Sequence, residues 1–128
     1  MGGRKTNATF GDTNSFRKIT QQFDAPLRAR LFAVKGNFED AWGKAKTPDD
    51  IPKMFDFKRL GHKSRECSTY QIRGLHKKYR FTLCHIPVAD GPAIILWMTV
   101  WAKHSNNDRF DVKAAQRMCK NLCQEGSR

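Results

Sequence analysis

The residues best suited to chemistry follow the most hydrophobic stretch of the chain. Residues 93–100, "AIILWMTV", lead into residues 101–110, "WAKHSNNDRF", so that Lys103 and His104 stand just beyond a predicted buried strand. An imidazole with its unperturbed pKa of about 6.5 can accept or donate a proton near neutral pH. His104 is therefore the predicted proton-transfer group, and His76 is the second candidate.

Further basic groups are predicted to gather near these residues. Arg73 and Arg80 occupy polar positions of two neighbouring predicted strands, and Lys103 lies just past the end of the next strand. The turn between the first two strands adds three more groups: His76, Lys77 and Lys78. Arginine binds phosphate through a planar fork and lysine as a point charge, so this cluster is typical of a surface that binds a phosphate backbone.

The whole chain has an excess of positive charge. It contains 24 lysines and arginines against 12 aspartates and glutamates, a formal net charge of +12 over 128 residues. Such a charge implies an acidic partner, whether RNA, DNA, an anionic membrane surface or an acidic protein. The length suits one domain, residues 1–128, with residues 1–10 flexible or forming a short edge strand.

The sequence also favours a cytoplasmic protein with free cysteines. No run reaches the roughly 18 apolar residues of a transmembrane helix, and "MGGRKTNATFGD" has no apolar signal region. The cysteines, at positions 67, 84, 119 and 123, include no Cys-x-x-Cys pair. Cys119 and Cys123 lie one helical turn apart, where free cysteine serves as a small apolar filler. No metal or other cofactor is predicted.

Two helices are predicted in the N-terminal part of the chain. Helix N-caps are available at Asp12, Thr13 and Asn14, ahead of apolar residues at helical spacing. Pro26 suits the first turn of a second helix, whose apolar stripe continues in phase through Gly36 and so predicts one long helix. The two helices are expected to form an antiparallel hairpin.

Strand patterns then dominate as far as residue 101. They occur in "MFDFKRL", "STYQIRG", "KKYRFTLCHI" and the apolar residues 93–101, with an Asp-Gly turn before the last of them. A C-terminal helix follows, with Phe110, Ala114, Met118 and Leu122 at helical spacing. The predicted fold is α+β: an N-terminal helical hairpin on a four-stranded, mainly antiparallel sheet, with a C-terminal helix. The helices are expected on one face and charged side chains on the other.

Three strings in this order resemble the RelE/ParE/HigB superfamily of small bacterial toxins. They are "YQIRG", "KKYRFTLCHI" with its Tyr79-Arg80 pair, and "WMTVWAKHSNNDRF". The resemblance covers residues 13–123 in the order of elements and is closest over residues 70–110. It implies a RelE-like fold, a type II toxin–antitoxin system and a cognate antitoxin, typically acidic or flexible, as partner.

For the RelE branch the resemblance implies an endoribonuclease that cuts messenger RNA on the ribosome and arrests growth. The implied reaction is metal-free: the 2′-hydroxyl attacks the adjacent phosphorus, the 5′-oxygen leaves, and a cyclic phosphate remains. Arg80 matches the phosphate-stabilising arginine, and Arg73 matches a basic position of the active strand. His104, beside Lys103, falls where relatives carry arginine or histidine, and Phe110 falls where many carry a stacking tyrosine. Gln71 departs from the pattern, since RelE has lysine there.

Two other functions stay open. A ParE-like toxin would share the fold, act on DNA gyrase and need no catalytic histidine. A non-catalytic RNA- or DNA-binding protein would equally explain the net charge of +12. Growth arrest on expression would separate the toxins from the binding protein.

Overall fold

The structure, a computed structural model, describes residues 8–45, 50–60, 67–103 and 108–126, with the backbone alone at 108–111 and 126. In chain order the elements are β1 (Ala8–Asp12), α1 (Asn14–Gln21), α2 (Ala25–Lys44), a 3-10 turn (Lys53–Phe55), β2 (Phe57–Leu60), β3 (Ser68–Ile72), β4 (Tyr79–Ile86), β5 (Ala93–Ala102) and α3 (Asp108–Gly126). These elements confirm the predicted α+β class.

The strands form one mixed sheet in the order β1-β5-β4-β3-β2. β1 pairs in parallel with β5, from Ala8 opposite Ala93 to Asp12 opposite Trp97, and the other neighbours are antiparallel. The predicted count of four strands is therefore wrong, because the short edge strand at residues 8–12 joins the sheet as a fifth. Five residues give too little alternation to show from sequence where such a strand pairs.

The N-terminal helices differ in length and do not match the predicted antiparallel hairpin exactly. Thr13 caps α1 by accepting a hydrogen bond from the amide of Phe16 at 3.1 Å. Asp24 caps α2, which runs through Gly36 as predicted. With 8 residues, α1 spans about 12 Å, whereas the 20 residues of α2 span about 30 Å. α1 packs mainly on β5, and Phe16 of α1 also contacts Phe32 of α2, with ring centroids 6.2 Å apart.

One face of the sheet, called here the aromatic face, lies under α1 and α2. Its core is made of large rings that are almost fully buried: Phe16, Phe38, Trp42, Phe81 and Trp97. Phe38 of α2 lies at the centre of this group, with ring centroids 5.4–6.0 Å from those of Phe55, Phe57, Trp42 and Trp97. Burial of these rings fixes both helices on the sheet.

The opposite face, called here the cysteine face, lies under α3. Its core combines Cys84, Ile86 and Met98 of the sheet with Ala115 and Cys119 of the helix. The expectation that charged side chains collect on an open face is therefore wrong. The signal was present in β5, whose apolar residues alternate onto both faces.

The four cysteines form two disulfides that both join α3 to the sheet. Cys67 pairs with Cys123 and Cys84 with Cys119, with Cα–Cα distances of 6.1 and 5.2 Å. The prediction of free cysteines is wrong, because the partners lie 56 and 35 residues apart and meet only when α3 docks. The predicted apolar stripe of α3 is also displaced: Ala115, Cys119 and Cys123 are buried, whereas Ala114 is exposed.

Candidate nucleic-acid interface

A basic site with a histidine lies where β3, β4 and β5 meet at one end of the sheet. The connection between β3 and β4, residues 73–78, carries its central groups. Its start is held by the 3-10 turn, since Gly74 donates to the carbonyl of Phe55 at 2.8 Å and Arg73 donates to that of Asp56 at 3.2 Å. A side chain at Gly74 would collide with the carbonyl oxygen of Met54, so this close approach requires glycine. Leu75 then buries its side chain in the core.

The ring of His76 is oriented by a local hydrogen bond. Its Nδ1 accepts from the backbone N–H of Lys78 at 3.0 Å, so the neutral ring carries its proton on Nε2. The carbonyl of Lys78 in turn accepts from the backbone N–H of Lys103 at 2.8 Å. Lys78 thereby connects the imidazole to the end of β5.

Positive charges from three parts of the chain act on this imidazole. Partial burial lowers the pKa of His76, and the positive charges of Arg30, Lys103 and Lys78 lower that pKa further. We call these four residues the His76 cluster. A phosphate group among the cations would offset their repulsion of a protonated ring, so anion binding should raise the pKa of His76.

Aromatic rings support the same site from the aromatic face. The His76 ring lies 5.3 Å from the ring of Tyr79, centroid to centroid and tilted by 69°. Tyr79 makes a similar edge contact with Phe23 at 5.4 Å. Both aromatic side chains are half-buried. The Tyr79 ring therefore packs against one side of the imidazole, and the nearby positive charges act on the same ring.

Several of the residues predicted from sequence lie at this end of the sheet. Lys78 and Lys103 belong to the His76 cluster, and the exposed Lys77 lies between two of its members in the chain. Arg73, half-buried, begins the same β3–β4 connection. These residues present a basic edge to solvent.

Arg80 lies elsewhere, although it follows Tyr79 directly. Successive strand residues point to opposite faces, so Tyr79 faces the aromatic side and Arg80 the cysteine side. There Arg80 is only 7% exposed. The single concave cluster expected from sequence is therefore divided by the sheet into the His76 cluster and a covered region around Arg80.

Two predicted site residues lie at or beyond the limits of the described ranges. His104 lies outside them, immediately after Lys103 in the chain. Phe110 lies in α3, but its side chain is not described. Their predicted roles stay predictions.

Sequence analysis missed two members of the site. They are Arg30 of α2 and Tyr79, the first residue of β4. The contact of Tyr79 with His76 had a signal, because they are three residues apart around a tight turn. Arg30 had none, since it is 46 positions away from His76 and only folding brings α2 to this end of the sheet.

Comparison with known proteins identifies no relative of the chain. No family model, no curated protein and no solved structure matches it. The described ranges contain no group of three or more His, Cys, Asp or Glu side chains placed to hold a metal ion. No helix in them has the length and apolar character to cross a membrane. The chemistry of the His76 cluster is therefore inferred from its own residues.

Proposed function

We propose that the chain is an RNA-cleaving toxin of a type II toxin–antitoxin system, an mRNA interferase that binds messenger RNA through the His76 cluster. The observation that carries the proposal is the ordered imidazole of His76 among Arg30, Lys78 and Lys103. Lysine, arginine and imidazole N–H groups are the usual protein partners of phosphate oxygens. The net charge of +12 provides long-range attraction for the same polyanion.

The proposed reaction is attack of a ribose 2′-hydroxyl on the adjacent phosphorus, with departure of the 5′-oxygen. It requires a proton acceptor, cations that stabilise the extra charge on phosphorus, and a proton donor for the leaving oxygen. Lys78, Lys103 and Arg30 provide the positive charge. His76 offers its Nε2–H to a phosphate oxygen, and His104 is assigned the proton transfer. The resemblance to RelE supports this last role.

A growth and cleavage experiment tests the proposal. The wild-type chain, His104→Ala, and a Lys78→Ala/Lys103→Ala variant would be induced in a bacterial host while transcript 5′ ends are mapped. We expect growth arrest with new transcript ends for the wild type, and loss of both in each variant. Lys113→Ala/Lys120→Ala is the matched control, because it removes two exposed lysines from α3 and should leave cleavage unchanged.

Other outcomes would reject the proposal in distinct ways. Arrest without new transcript ends would favour the ParE-like action on DNA gyrase. New ends that persist in every variant would place the cleaving residues elsewhere. Equal losses in the α3 control would mean that net charge matters and the His76 cluster does not.

A non-catalytic RNA-binding protein is the second candidate, and one observation favours it. The Nδ1 lone pair of His76 is already occupied by the Lys78 N–H, so the ring as it stands offers a hydrogen-bond donor and no free base. Under this alternative the wild-type chain binds RNA without cleaving it. Replacement of Lys78 or Lys103 would then weaken binding and reduce the salt slope of log affinity by about 1 for each lysine.

The proposed toxin implies its partners and its compartment. An acidic antitoxin would neutralise the basic edge around His76 and exclude RNA from it. Messenger RNA on the ribosome places the protein in the cytoplasm, where thiols are usually kept reduced. The two disulfides are therefore groups whose state the proposed compartment would change.

A further inference from the structure

A row of polar side chains crosses the cysteine face beneath the helix. Gln71 lies opposite Thr82 in the β3–β4 pairing, and Thr82 lies opposite Thr99 in the β4–β5 pairing. All three are at most 4% exposed. The two threonine hydroxyls hydrogen-bond to each other at 2.7 Å. We call Gln71, Thr82 and Thr99 the polar row.

The polar row offers hydrogen-bond donors and contains no carboxylate. The Nε2 amide of Gln71 is buried and finds no hydrogen-bond partner among the described residues. Arg80 lies two residues from Thr82 on the same strand and therefore on the same face. A guanidinium, an amide N–H₂ and hydroxyls together match an anionic oxygen ligand, and phosphate above all.

The helix that covers this face is joined to the sheet by two disulfides and by a small apolar contact area in its described part. The side chains that α3 buries fully in the described part are small, namely Ala115, Cys119 and Cys123. Larger apolar residues of the helix, Met118 and Leu122, are only half-buried. Among the described side chains of α3 the buried apolar area is small, so the two crosslinks should contribute much of its attachment.

A reductant can approach the Cys67–Cys123 crosslink from a cleft, whereas the Cys84–Cys119 crosslink lies deeper, with Cys84 0% exposed. A cleft of about 410 Å³ is bordered by Cys67, Cys119 and Cys123, with Lys120 and Gln116 at its rim. Three of the four disulfide sulfurs therefore belong to residues that line an open cleft. A small dithiol that enters this cleft would therefore reach Cys67–Cys123 first and Cys84–Cys119 after it.

We propose that α3 is a redox-released cover over a second phosphate-binding surface, formed by the polar row and Arg80, whose ligand is the phosphodiester backbone of single-stranded RNA. Each disulfide takes two electrons and two protons from a dithiol: its S–S bond breaks, two thiols form, and the dithiol closes to its own disulfide. Once both are reduced, α3 separates from the sheet and the polar row meets solvent. The choice of RNA rests on the proposed function, whereas the release of α3 does not.

Hydrogen exchange of the wild-type chain tests the release. Amide protection would be compared between the oxidised protein and the same protein with dithiothreitol. We expect α3 to lose protection on reduction while β4 and β5 keep theirs, because the aromatic face still holds the sheet. Unchanged protection of α3 would overturn the proposal, and so would loss of protection throughout the chain.

Binding of RNA tests the uncovered surface. The probe is a short fluorescein-labelled single-stranded RNA with 2′-O-methyl groups, which cannot be cleaved by attack of a 2′-hydroxyl. Reduction should tighten binding by about tenfold, as expected for new charge-assisted contacts to phosphate. Gln71→Leu and Arg80→Gln should each remove most of this gain, whereas Lys120→Ala should keep it. A variant with all four cysteines changed to serine should bind tightly with or without dithiothreitol.

The outcomes separate this inference from the proposed function. If reduction leaves affinity unchanged but Lys78→Ala/Lys103→Ala weakens binding, the cover is refuted and the His76 cluster stands. If the tightening depends on Gln71 and Arg80 while induced cells show no cleavage, the cover stands and the toxin proposal fails. A gain that persists in both Gln71→Leu and Arg80→Gln would refute the polar row as the uncovered surface.

Discussion

The two faces of the sheet are stabilised by different physical interactions. On the aromatic face, rings such as Phe38 and Trp97 are fully buried, and each large apolar side chain contributes about 1.5–3 kcal/mol through burial. On the cysteine face the buried helix residues are small, and two disulfides join the layers. A native disulfide typically contributes about 2–4 kcal/mol.

This difference means that one layer responds to a reductant and the other does not. Apolar burial is the same in an oxidising and a reducing buffer, whereas a disulfide exists only in the first. Polar side chains are also tolerated on the cysteine face, at Gln71, Thr82 and Thr99, but are excluded from the centre of the aromatic face. The packing on the cysteine face thus depends on the redox state of the disulfides, whereas the packing on the aromatic face does not.

Removal of a central ring should have the largest effect on stability. Phe38→Ala is expected to lower the free energy of unfolding by about 3–5 kcal/mol, because it leaves a cavity among four neighbouring rings. Urea denaturation would measure it, in both oxidised and reduced protein. The control is Phe32→Ala: because Phe32 is 38% exposed, its removal should lower the free energy of unfolding far less. Similar losses at both positions would mean that Phe38 is not the centre of this core.

Removal of one crosslink should come next. Cys67→Ala/Cys123→Ala is expected to cost about 2–4 kcal/mol relative to the oxidised wild type, by releasing a link between residues 56 apart. The decisive comparison is with dithiothreitol present, where wild type and variant should become almost equally stable. A gap of the same size in reducing buffer would show that these side chains act by packing and not by their bond.

The polar row offers a smaller and more selective test. Thr82→Val leaves the buried hydroxyl of Thr99 without its partner and should cost about 1–3 kcal/mol. The double variant Thr82→Val/Thr99→Val removes both hydroxyls and should recover most of that loss. Recovery would show that the pair is not needed for folding, as expected of groups retained for a ligand. Additive losses in the double variant would contradict this.

Acid should weaken the aromatic face by the smallest amount. His85 contacts Trp42 and Tyr70, and burial lowers its pKa. The unfolded chain, with a histidine pKa of about 6.5, therefore binds the proton first as pH falls. Stability should decrease as pH is lowered through that value and level off below the folded pKa.

The pH test needs a correction for the second histidine. Because the pKa of His76 is lowered as well, the unfolding curve would be measured in His76→Gln with and without His85→Phe. The remaining slope between neutral and mildly acid pH should disappear with His85→Phe. A slope that survives this change would assign the titration to other groups.

Local sequence patterns predicted the helices and strands better than they predicted which of these pack against each other. The long helix through Gly36 and the strand Tyr79–Ile86 were visible because periodicity is a property of adjacent residues. The face that α3 covers was not visible, since cysteine counted as weakly apolar and the predicted stripe fell one residue away. Pairings such as Cys67 with Cys123 depend on docking, which periodicity does not encode.

The residues of the candidate site also fall into two groups, those whose placement the sequence predicted and those whose placement depends on the fold. His76, Lys77 and Lys78 are neighbours in the chain, so their grouping followed from the sequence directly. The placement of Arg80 required knowledge of what lies on each face of β4. Alternation did assign Tyr79 and Arg80 to opposite faces, but it could not show that the face of Arg80 is covered.

The pairing of the four cysteines also records the position of α3 along the sheet. Cys119 and Cys123 are four residues apart, which is about 6 Å along a helix. A slide of the helix by about one turn would bring Cys119 to Cys67 but would carry Cys123 away from Cys84, so only the observed position closes both bonds. The two crosslinks are nested, so neither loop has to thread through the other. Peptide mapping of the crosslinked cysteines therefore measures the register of α3 on the sheet.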